Sequence, residues 1–257
     1  MARSMLLAAV AVAALAAAGG AAADARGKHI AHAEIKPNAA KVAAPARPAE
    51  DVARDADRKP QEMLSFAKVK PGQKVLELLP GGGYFTRVLS AAVGPTGEVY
   101  AAAPAPTSPD AQPAVQKIAA EPGYGNIKPV IIALSEVAAP EPVDLIFTAQ
   151  NYHDFHLARL KLDVPKVDKS LYDALKPGGA LLVIDHRALD GAPLETADTL
   201  HRIDPAKAKA ELEAVGFKLE AQSDALANPA DPKTGNVFSP DIRGKTDQFV
   251  MLFRKPK

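Results

Sequence analysis

The stretch VLELLPGGGY, at residues 75–84, decides the fold. A short apolar run carries one acid, Glu77, and ends at Pro80, after which three glycines follow. The next segment, at residues 84–93, has apolar residues at helical spacing. The pattern predicts a buried strand, a tight turn and a helix, the geometry of a nucleotide-type cofactor site, because glycine lets a ligand approach the main chain and a helix start offers free amide groups. The alternative is a glycine-rich turn that binds nothing.

On both sides of this stretch, short apolar segments alternate with segments in which the apolar residues have helical spacing. Strands are predicted at residues 74–79, 98–102, 127–134, 143–148 and 180–185, and helices at 60–67, 84–93, 114–120, 167–175 and 205–215. Residues 217–221 and 248–253 are predicted to form an antiparallel pair. This order predicts an open α/β fold with a mostly parallel sheet and helices on both faces. The carboxyl ends of the parallel strands then share one edge, where ligands bind.

Residues 75–84 resemble the first motif of class I S-adenosylmethionine (SAM)-dependent methyltransferases, an acid followed by three spaced glycines. Glu77 stands at the acid, and Gly81 and Gly83 stand at the second and third glycines. Leu79 replaces the first glycine. The longer run over residues 58–84 is similar to an exported bacterial group of predicted methyltransferases. The resemblance implies a Rossmann-like, mostly parallel seven-stranded sheet with an antiparallel last strand over residues 58–257, and SAM as cofactor.

The resemblance also assigns the residues that bind the cofactor. They are Glu77, Pro80, Gly81, Gly82, Gly83, Tyr84 and Asn151. Asn151 stands where many amino-group methyltransferases carry Asn-Pro-Pro-Tyr, and the rest of that motif does not match. Methyltransferases of this class usually hold the ribose with an acid at the end of the second strand. Here that place is taken by AAAP at residues 101–104, and the next acid is Asp110.

Four histidines lie beside the predicted strand ends. His153 and His156 come just after the fourth strand, and His186 comes just after the fifth. His201 comes just before the last predicted helix. Because the strand ends meet at one edge, we expect these four side chains to lie near the glycine turn. The alternative is that they are exposed polar residues of loops.

Methyl transfer to oxygen or nitrogen requires removal of a proton, and imidazole is suited to this near neutral pH. We therefore predict a SAM-dependent methyltransferase with a small-molecule acceptor and with His153 as the base. Asp154 or Asp185 would orient an imidazole, and His186 would line the acceptor side. The catalytic set is thus His153, Asp154 and His186.

Two other functions stay open at this point. The first is a metal-dependent enzyme that uses the imidazoles and carboxylates at the same edge, namely His153, Asp154, His156, Asp185 and His186. The second is a ligand-binding protein without turnover, because an exported protein works away from the cytosolic supply of SAM.

Composition limits the partners. The 257 residues are 47% hydrophobic and carry a formal net charge of +1. Such a balance leaves no electrostatic footprint for nucleic acid or anionic membranes, so a small-molecule partner and no nucleic acid are expected. The chain has no cysteine, which excludes disulfides and a lipid-modified cysteine.

The first residues have the layout of a secretory signal peptide. Arg3 precedes an apolar run at residues 5–18, and small residues follow at 21–25. We expect a signal peptide at residues 1–25, export to the periplasm and no stable membrane insertion after cleavage; the alternative is an uncleaved anchor. Residues 26–57 are rich in Ala and Pro and predict a flexible linker, whose end at 50–58 can become helical against the domain.

Overall fold

A seven-stranded sheet forms the centre of the protein, of which the computed structural model describes residues 47–106 and 113–257. The strands are β1 (Lys74–Leu78), β2 (Glu98–Ala103), β3 (Ile127–Ile131), β4 (Val143–Ala149), β5 (Leu175–His186), β6 (Lys218–Ser223) and β7 (Gln248–Arg254). Their order is β3-β2-β1-β4-β5-β7-β6. The first five are parallel, and β7 runs antiparallel between β5 and β6. The predicted sheet, including its antiparallel last strand, is confirmed.

Helices cover both faces of the sheet, as predicted. They are α1 (Ala49–Val52), α2 (Asp55–Arg58), α3 (Pro60–Phe66), α4 (Tyr84–Val93), α5 (Ala114–Ala120), α6 (Val164–Ala174), α7 (Thr196–Leu200) and α8 (Pro205–Ala214), with 3-10 turns at Tyr152–His156 and Ala158–Leu160. Neighbouring strand residues point to opposite faces, so Val75 belongs to one apolar core and Leu76 to the other. In the described parts of the chain, no helix combines the length and the apolar content needed to cross a bilayer.

Helix α6 and strand β5 begin earlier than the sequence pattern predicts. The predicted helix starts at residue 167, whereas α6 starts at Val164 because the side chain of Asp163 caps it by accepting a hydrogen bond from the amide of Lys166. Strand β5 starts at Leu175, before the glycine pair that predicts a turn, and its register against β4 shifts there. The short helix α7 and the 3-10 turns have no periodic apolar pattern and were not predicted.

The end of the predicted linker packs on the start of α4. Asp51 is buried and accepts a hydrogen bond from Nη1 of Arg87 at 3.1 Å. The Tyr84 hydroxyl donates to Oδ1 of Asp55 at 2.6 Å. Residues 47–57 thus lie against the domain rather than extending away from it. The predicted signal peptide and the rest of the linker lie outside the described residues.

A polar insert between β6 and β7, residues 224–247, is fastened by a buried ion pair. The side chains of Arg202 and Asp231 are fully buried. Two hydrogen bonds join them, at 2.8 Å from Nη1 and 3.1 Å from Nη2. Arg202 also donates from Nε to the carbonyl of Gly235 at 3.0 Å. The insert is therefore pinned to the segment that leads into α8, next to the strand edge.

Candidate functional site

The glycine turn between β1 and α4 holds three residues in the left-handed region. Their φ angles are +50° at Leu79, +56° at Gly81 and +82° at Gly83. Leu79, which stands where the resembling motif has its first glycine, adopts this conformation although it carries a side chain. At Gly83, a Cβ would lie 2.1 Å from Cδ1 of Ile118, and at Gly81 it would meet no described atom within 4 Å. The turn is closely packed at Gly83 and open at Gly81.

A cavity of about 370 Å³ opens at this turn, beside the carboxyl ends of β1, β2 and β4. Its walls include Leu79, Pro80 and Gly81 from the turn, Ala103 and Pro104 from the end of β2, and Asn151 and Asp154 after β4. Leu79 forms part of the wall and leaves the space open. Of the residues assigned to cofactor binding, Pro80, Gly81 and Asn151 therefore line the cavity.

The other assigned residues support the turn or flank it. Gly82 is exposed, whereas Gly83 and Tyr84 are buried. Glu77 lies at the end of β1 and is 3% exposed. Burial raises the pKa of Glu77 to about 7, and the nearby Thr86 and Arg58 oppose this shift. Its Oε2 has no hydrogen-bond partner among the described residues, so this carboxyl oxygen is buried and unpaired behind the turn.

Asn151 joins the ends of two neighbouring strands. Its Nδ2 donates to the carbonyl of Ala149 at 2.8 Å and lies 3.3 Å from the carbonyls of Leu78 and Leu79. These contacts fix the main chain at the ends of β4 and β1. The asparagine thereby holds the cavity wall in shape, which the sequence resemblance alone did not indicate.

Three of the four histidines come together at the strand edge. The ring centroid of His153 is 5.9 Å from that of His186 and 5.4 Å from that of His201. His156 is not part of this cluster, because its Nε2 lies 3.1 Å from a carboxylate oxygen of Glu211. It lines a separate cavity of about 260 Å³. The structure thus brings together His153, His186 and His201, but not His156.

Asp185 sets the orientation of His153. This fully buried carboxylate accepts hydrogen bonds from the amide of His153 at 2.6 Å, from its Nδ1 at 2.8 Å and from the amide of His186 at 2.7 Å. A carboxylate only accepts, so in the neutral imidazole Nδ1 carries the proton and Nε2 presents a lone pair. Nε2 lies 3.4 Å from Oδ1 of Asp154. Of the two carboxylates predicted as orienting groups, the structure places Asp185 in that position.

The environments of His153 and His186 shift their pKa values in opposite directions. Burial lowers the pKa of His153, but the Asp185 carboxylate more than offsets this and the net pKa is raised. Burial lowers the pKa of His186 to about 4, and its Nδ1 lies 2.7 Å from the hydroxyl of Thr246. His153 therefore holds a proton more readily than a free imidazole, whereas His186 stays neutral at neutral pH.

His201 is the member of the cluster that the predicted catalytic set lacks. It directly follows the short helix α7 with φ +53°, and its ring contacts that of Phe238 at 4.9 Å. Phe238 belongs to the insert and is 57% exposed. The position of His201 just before a helix was visible in the sequence. Its proximity to His153 depends on α7, for which the sequence has no signal.

Behind the cluster, Asp168 of α6 forms a second buried acidic group. Its Oδ2 accepts from the hydroxyl of Tyr152 at 3.0 Å, and that hydroxyl lies 3.1 Å from Glu211. Its Oδ1 has no partner in the part of the chain that the structure describes. Burial raises the pKa of Asp168 to about 7, and the charge of Glu211 adds to this shift. The hydrogen bond from Tyr152 and the charge of His156 oppose it.

We expect Asp168→Asn to raise the free energy of unfolding above neutral pH by roughly 2 kcal/mol. Because the folded pKa is raised, the folded state keeps a proton that the unfolded chain releases near pH 4, and stability falls as pH rises from about 4 to about 7. The amide has no charge and avoids this loss. Urea unfolding of both proteins at about pH 5 and about pH 8 measures the effect. A difference in stability that does not grow with pH would contradict it.

Comparison with known proteins finds a partial match in sequence. No protein-family model matches the chain. Over 122 residues, 47% of the chain, it is 27% identical to a protein-L-isoaspartate O-methyltransferase of Aeropyrum pernix, and the match spans 42% of that protein. The chain therefore matches less than half the length of this relative.

Solved structures share the fold over about four fifths of the chain. A SAM-dependent methyltransferase from Aquifex aeolicus is 22% identical with a TM-score of 0.56, over 79% of this chain and 93% of that one. A possible exported protein from Bordetella parapertussis is 18% identical with a TM-score of 0.51, over 80% of this chain and 68% of that one. The [4+2]-cyclase SpnF is 15% identical with a TM-score of 0.55, over 78% of this chain and 81% of that one. With this sheet order and these neighbours, the chain has the class I SAM-dependent methyltransferase fold.

Proposed function

We propose that the protein is a SAM-dependent methyltransferase that acts on a small molecule. The observation that carries the proposal is the position of Asp154, which lines the cavity at the glycine turn and also lies 3.4 Å from Nε2 of His153. A cofactor cavity and a group able to accept a proton thus adjoin at one strand edge. The archaeal relative, named as an O-methyltransferase, supports the same reaction class.

The cavity fits an adenosyl cofactor at the turn. Gly81 leaves open space where any side chain would intrude, and Pro80 and Asn151 form the adjoining walls. Ala103 and Pro104 line the side where related enzymes hold the ribose with an acid. The ribose hydroxyl groups would need main-chain partners on this side of the cavity, or the side chain of Asp110, which lies outside the described residues. When bound, SAM supplies an electrophilic methyl group.

The acceptor side is formed by the histidine cluster. Nε2 of His153 removes the proton from the acceptor as it is methylated, and the Asp185 carboxylate stabilises the imidazolium that results. His186, neutral and buried, lines this side without competing for the proton. Asp154 lines the cofactor cavity and lies 3.4 Å from Nε2 of His153, so it joins the two halves of the site.

The experiment uses SAM labelled in the methyl group. The untagged protein is incubated with it and with a protein-free extract of small molecules from a bacterial culture, and the label transferred to the extract is counted. Transfer above that of heat-denatured protein is expected, and fractionation then isolates the acceptor. If SAM binds but no label moves, the protein is a binding module and the catalytic assignment is wrong.

Export is part of the same proposal. It rests on the leader pattern at residues 1–25 and on the similarity to an exported group of methyltransferases. Cell fractionation with an antibody against the folded domain tests it: the shortened chain is expected in the periplasmic fraction, and full-length chain in the cytosol would contradict it.

A further inference from the structure

Three side chains at the strand edge converge on one point. They are His153 and Asp154 from the 3-10 turn after β4, and His201 at the end of α7. One donor atom of each lies within 4.8 Å of the other two. Oδ1 of Asp154 is 3.4 Å from Nε2 of His153 and 4.0 Å from Nδ1 of His201. Such convergence of two imidazoles and a carboxylate exceeds what a proton acceptor alone requires.

We propose that His153, Asp154 and His201 bind a divalent transition-metal ion, preferentially Zn²⁺. Two neutral imidazole nitrogens and one carboxylate oxygen are ligands that zinc prefers, and three protein ligands leave the fourth position open. Zinc–ligand bonds of about 2.0–2.1 Å put neighbouring donors of a tetrahedral site about 3.3 Å apart. The pair His153–Asp154 already has this spacing, and Nδ1 of His201, 4.0 Å from Oδ1 of Asp154, completes the set once it moves closer.

The surroundings of the three ligands are those of a metal site. Asp185 holds Nδ1–H of His153 at 2.8 Å, so Nε2 faces the proposed ion; metal-bound histidines nearly always donate their second ring nitrogen in this way. The His201 ring makes edge contacts with the rings of His153, at a centroid distance of 5.4 Å, and Phe238, at 4.9 Å. Asp154 and Asp185 offset the charge of the ion, while the exposed Arg159 nearby opposes it. The side chains of Asp154 and His201 are 27% and 23% exposed, which leaves a path for entry.

Metal binding has a consequence for the proposed reaction. The ion and the acceptor proton require the same lone pair, at Nε2 of His153. A chain loaded with zinc therefore lacks the free base. The site lies next to the cofactor cavity, because Asp154 lines both, and is distinct from the glycine turn. Zinc binding itself does not depend on methyl transfer, so either proposal can fail alone.

The test is titration of ZnCl₂ into chelator-treated, untagged protein, followed by calorimetry in a buffer that does not bind zinc. We expect one ion per chain with micromolar or tighter affinity, and visible absorption bands of a four-coordinate site when Co²⁺ replaces Zn²⁺. His201→Asn should weaken binding by at least the roughly 10–100-fold that follows loss of an outer-shell partner, and should remove the bands. Asp185→Asn should weaken binding by about that factor.

Two controls assign the ion to this site. His156→Asn removes the neighbouring histidine outside the cluster and should bind zinc like the unmodified chain. The double variant His29→Asn/His32→Asn removes the histidines of the predicted linker and should do the same. Thermal unfolding confirms that each variant is folded. Binding that is unchanged in His201→Asn, or lost in the His29/His32 variant, would overturn the proposal.

Discussion

Asp185→Asn is expected to lower the rate of methyl transfer by about 10²–10⁴-fold, the usual contribution of a general base. Asp185 accepts three hydrogen bonds inside the protein, including the one from Nδ1 of His153. Asparagine has one acceptor oxygen and an NH₂ group. Nδ1 of His153 and the amide of His186 both donate to Oδ1 of Asp185, and the amide of His153 donates to Oδ2. In either orientation the NH₂ group therefore faces a donor, and the imidazolium loses the carboxylate that stabilises it.

A lower rate of methyl transfer with an unchanged affinity for SAM identifies Asp185 as the group that orients the base. Asp185 does not line the cofactor cavity, so the affinity for SAM should stay within about threefold of the original, a difference below 1 kcal/mol. Asp173→Asn, an exposed substitution of the same type on α6, is the matched control and should leave both quantities unchanged. The assay contains EDTA to exclude metal at the cluster. A rate for Asp185→Asn close to that of the control would contradict the assignment of His153 as base.

Arg202→Met is expected to lower the free energy of unfolding by about 3–5 kcal/mol, as found when one partner of a buried ion pair is removed. The methionine fills much of the space but leaves the charge of Asp231 buried and uncompensated. Asp231 also accepts from the amides of Lys233 at 2.9 Å and Asp247 at 2.7 Å, so it cannot turn away without breaking the insert. Because Phe238 of the insert contacts His201, the variant should also loosen the histidine cluster.

Urea unfolding measures the loss of stability, and hydrogen exchange shows where it acts. In Arg202→Met, exchange is expected to accelerate more for amides of the insert than for amides of β1 and β4. Arg243→Met is the matched control, since Arg243 is exposed on the same insert and its loss should change stability by less than about 0.5 kcal/mol. Equal effects of the two substitutions would show that the buried pair does not fasten the insert.

The sheet could be predicted because its signals are local. Strands β1 and β4 are short apolar runs bounded by turn residues, and α4 lies between glycines at both ends. Register and order follow once such units alternate, since right-handed crossovers leave few arrangements. The early start of α6 depends instead on one side-chain cap, at Asp163, which the apolar spacing does not reveal.

The candidate site was predictable only in part. The strand ends placed His153 and His186 together, because parallel strands finish at one edge. Whether Asp154 or Asp185 orients His153 depends on which side of the ring each carboxylate reaches, and the sequence leaves that choice open. The approach of His201 requires α7, which is too short to give a periodic pattern. His156 turns toward Glu211 of α8, a contact between segments far apart in the chain.

The main chain at Gly81 borders the proposed adenosyl site, and calorimetric titration with SAM tests this placement. We expect binding in the micromolar range, near −8 kcal/mol. Loss of binding is expected in Gly81→Val, because Gly81 lines the cavity and its open side would be filled by a side chain. Gly191→Val is the control: Gly191 also has a positive φ, of +77°, and no described atom within 4 Å of an added Cβ, yet it lies away from the cavity. We expect the control to bind SAM like the original chain, which places the adenosyl site at Gly81. Absence of binding at millimolar SAM, or equal binding by Gly81→Val, would contradict it.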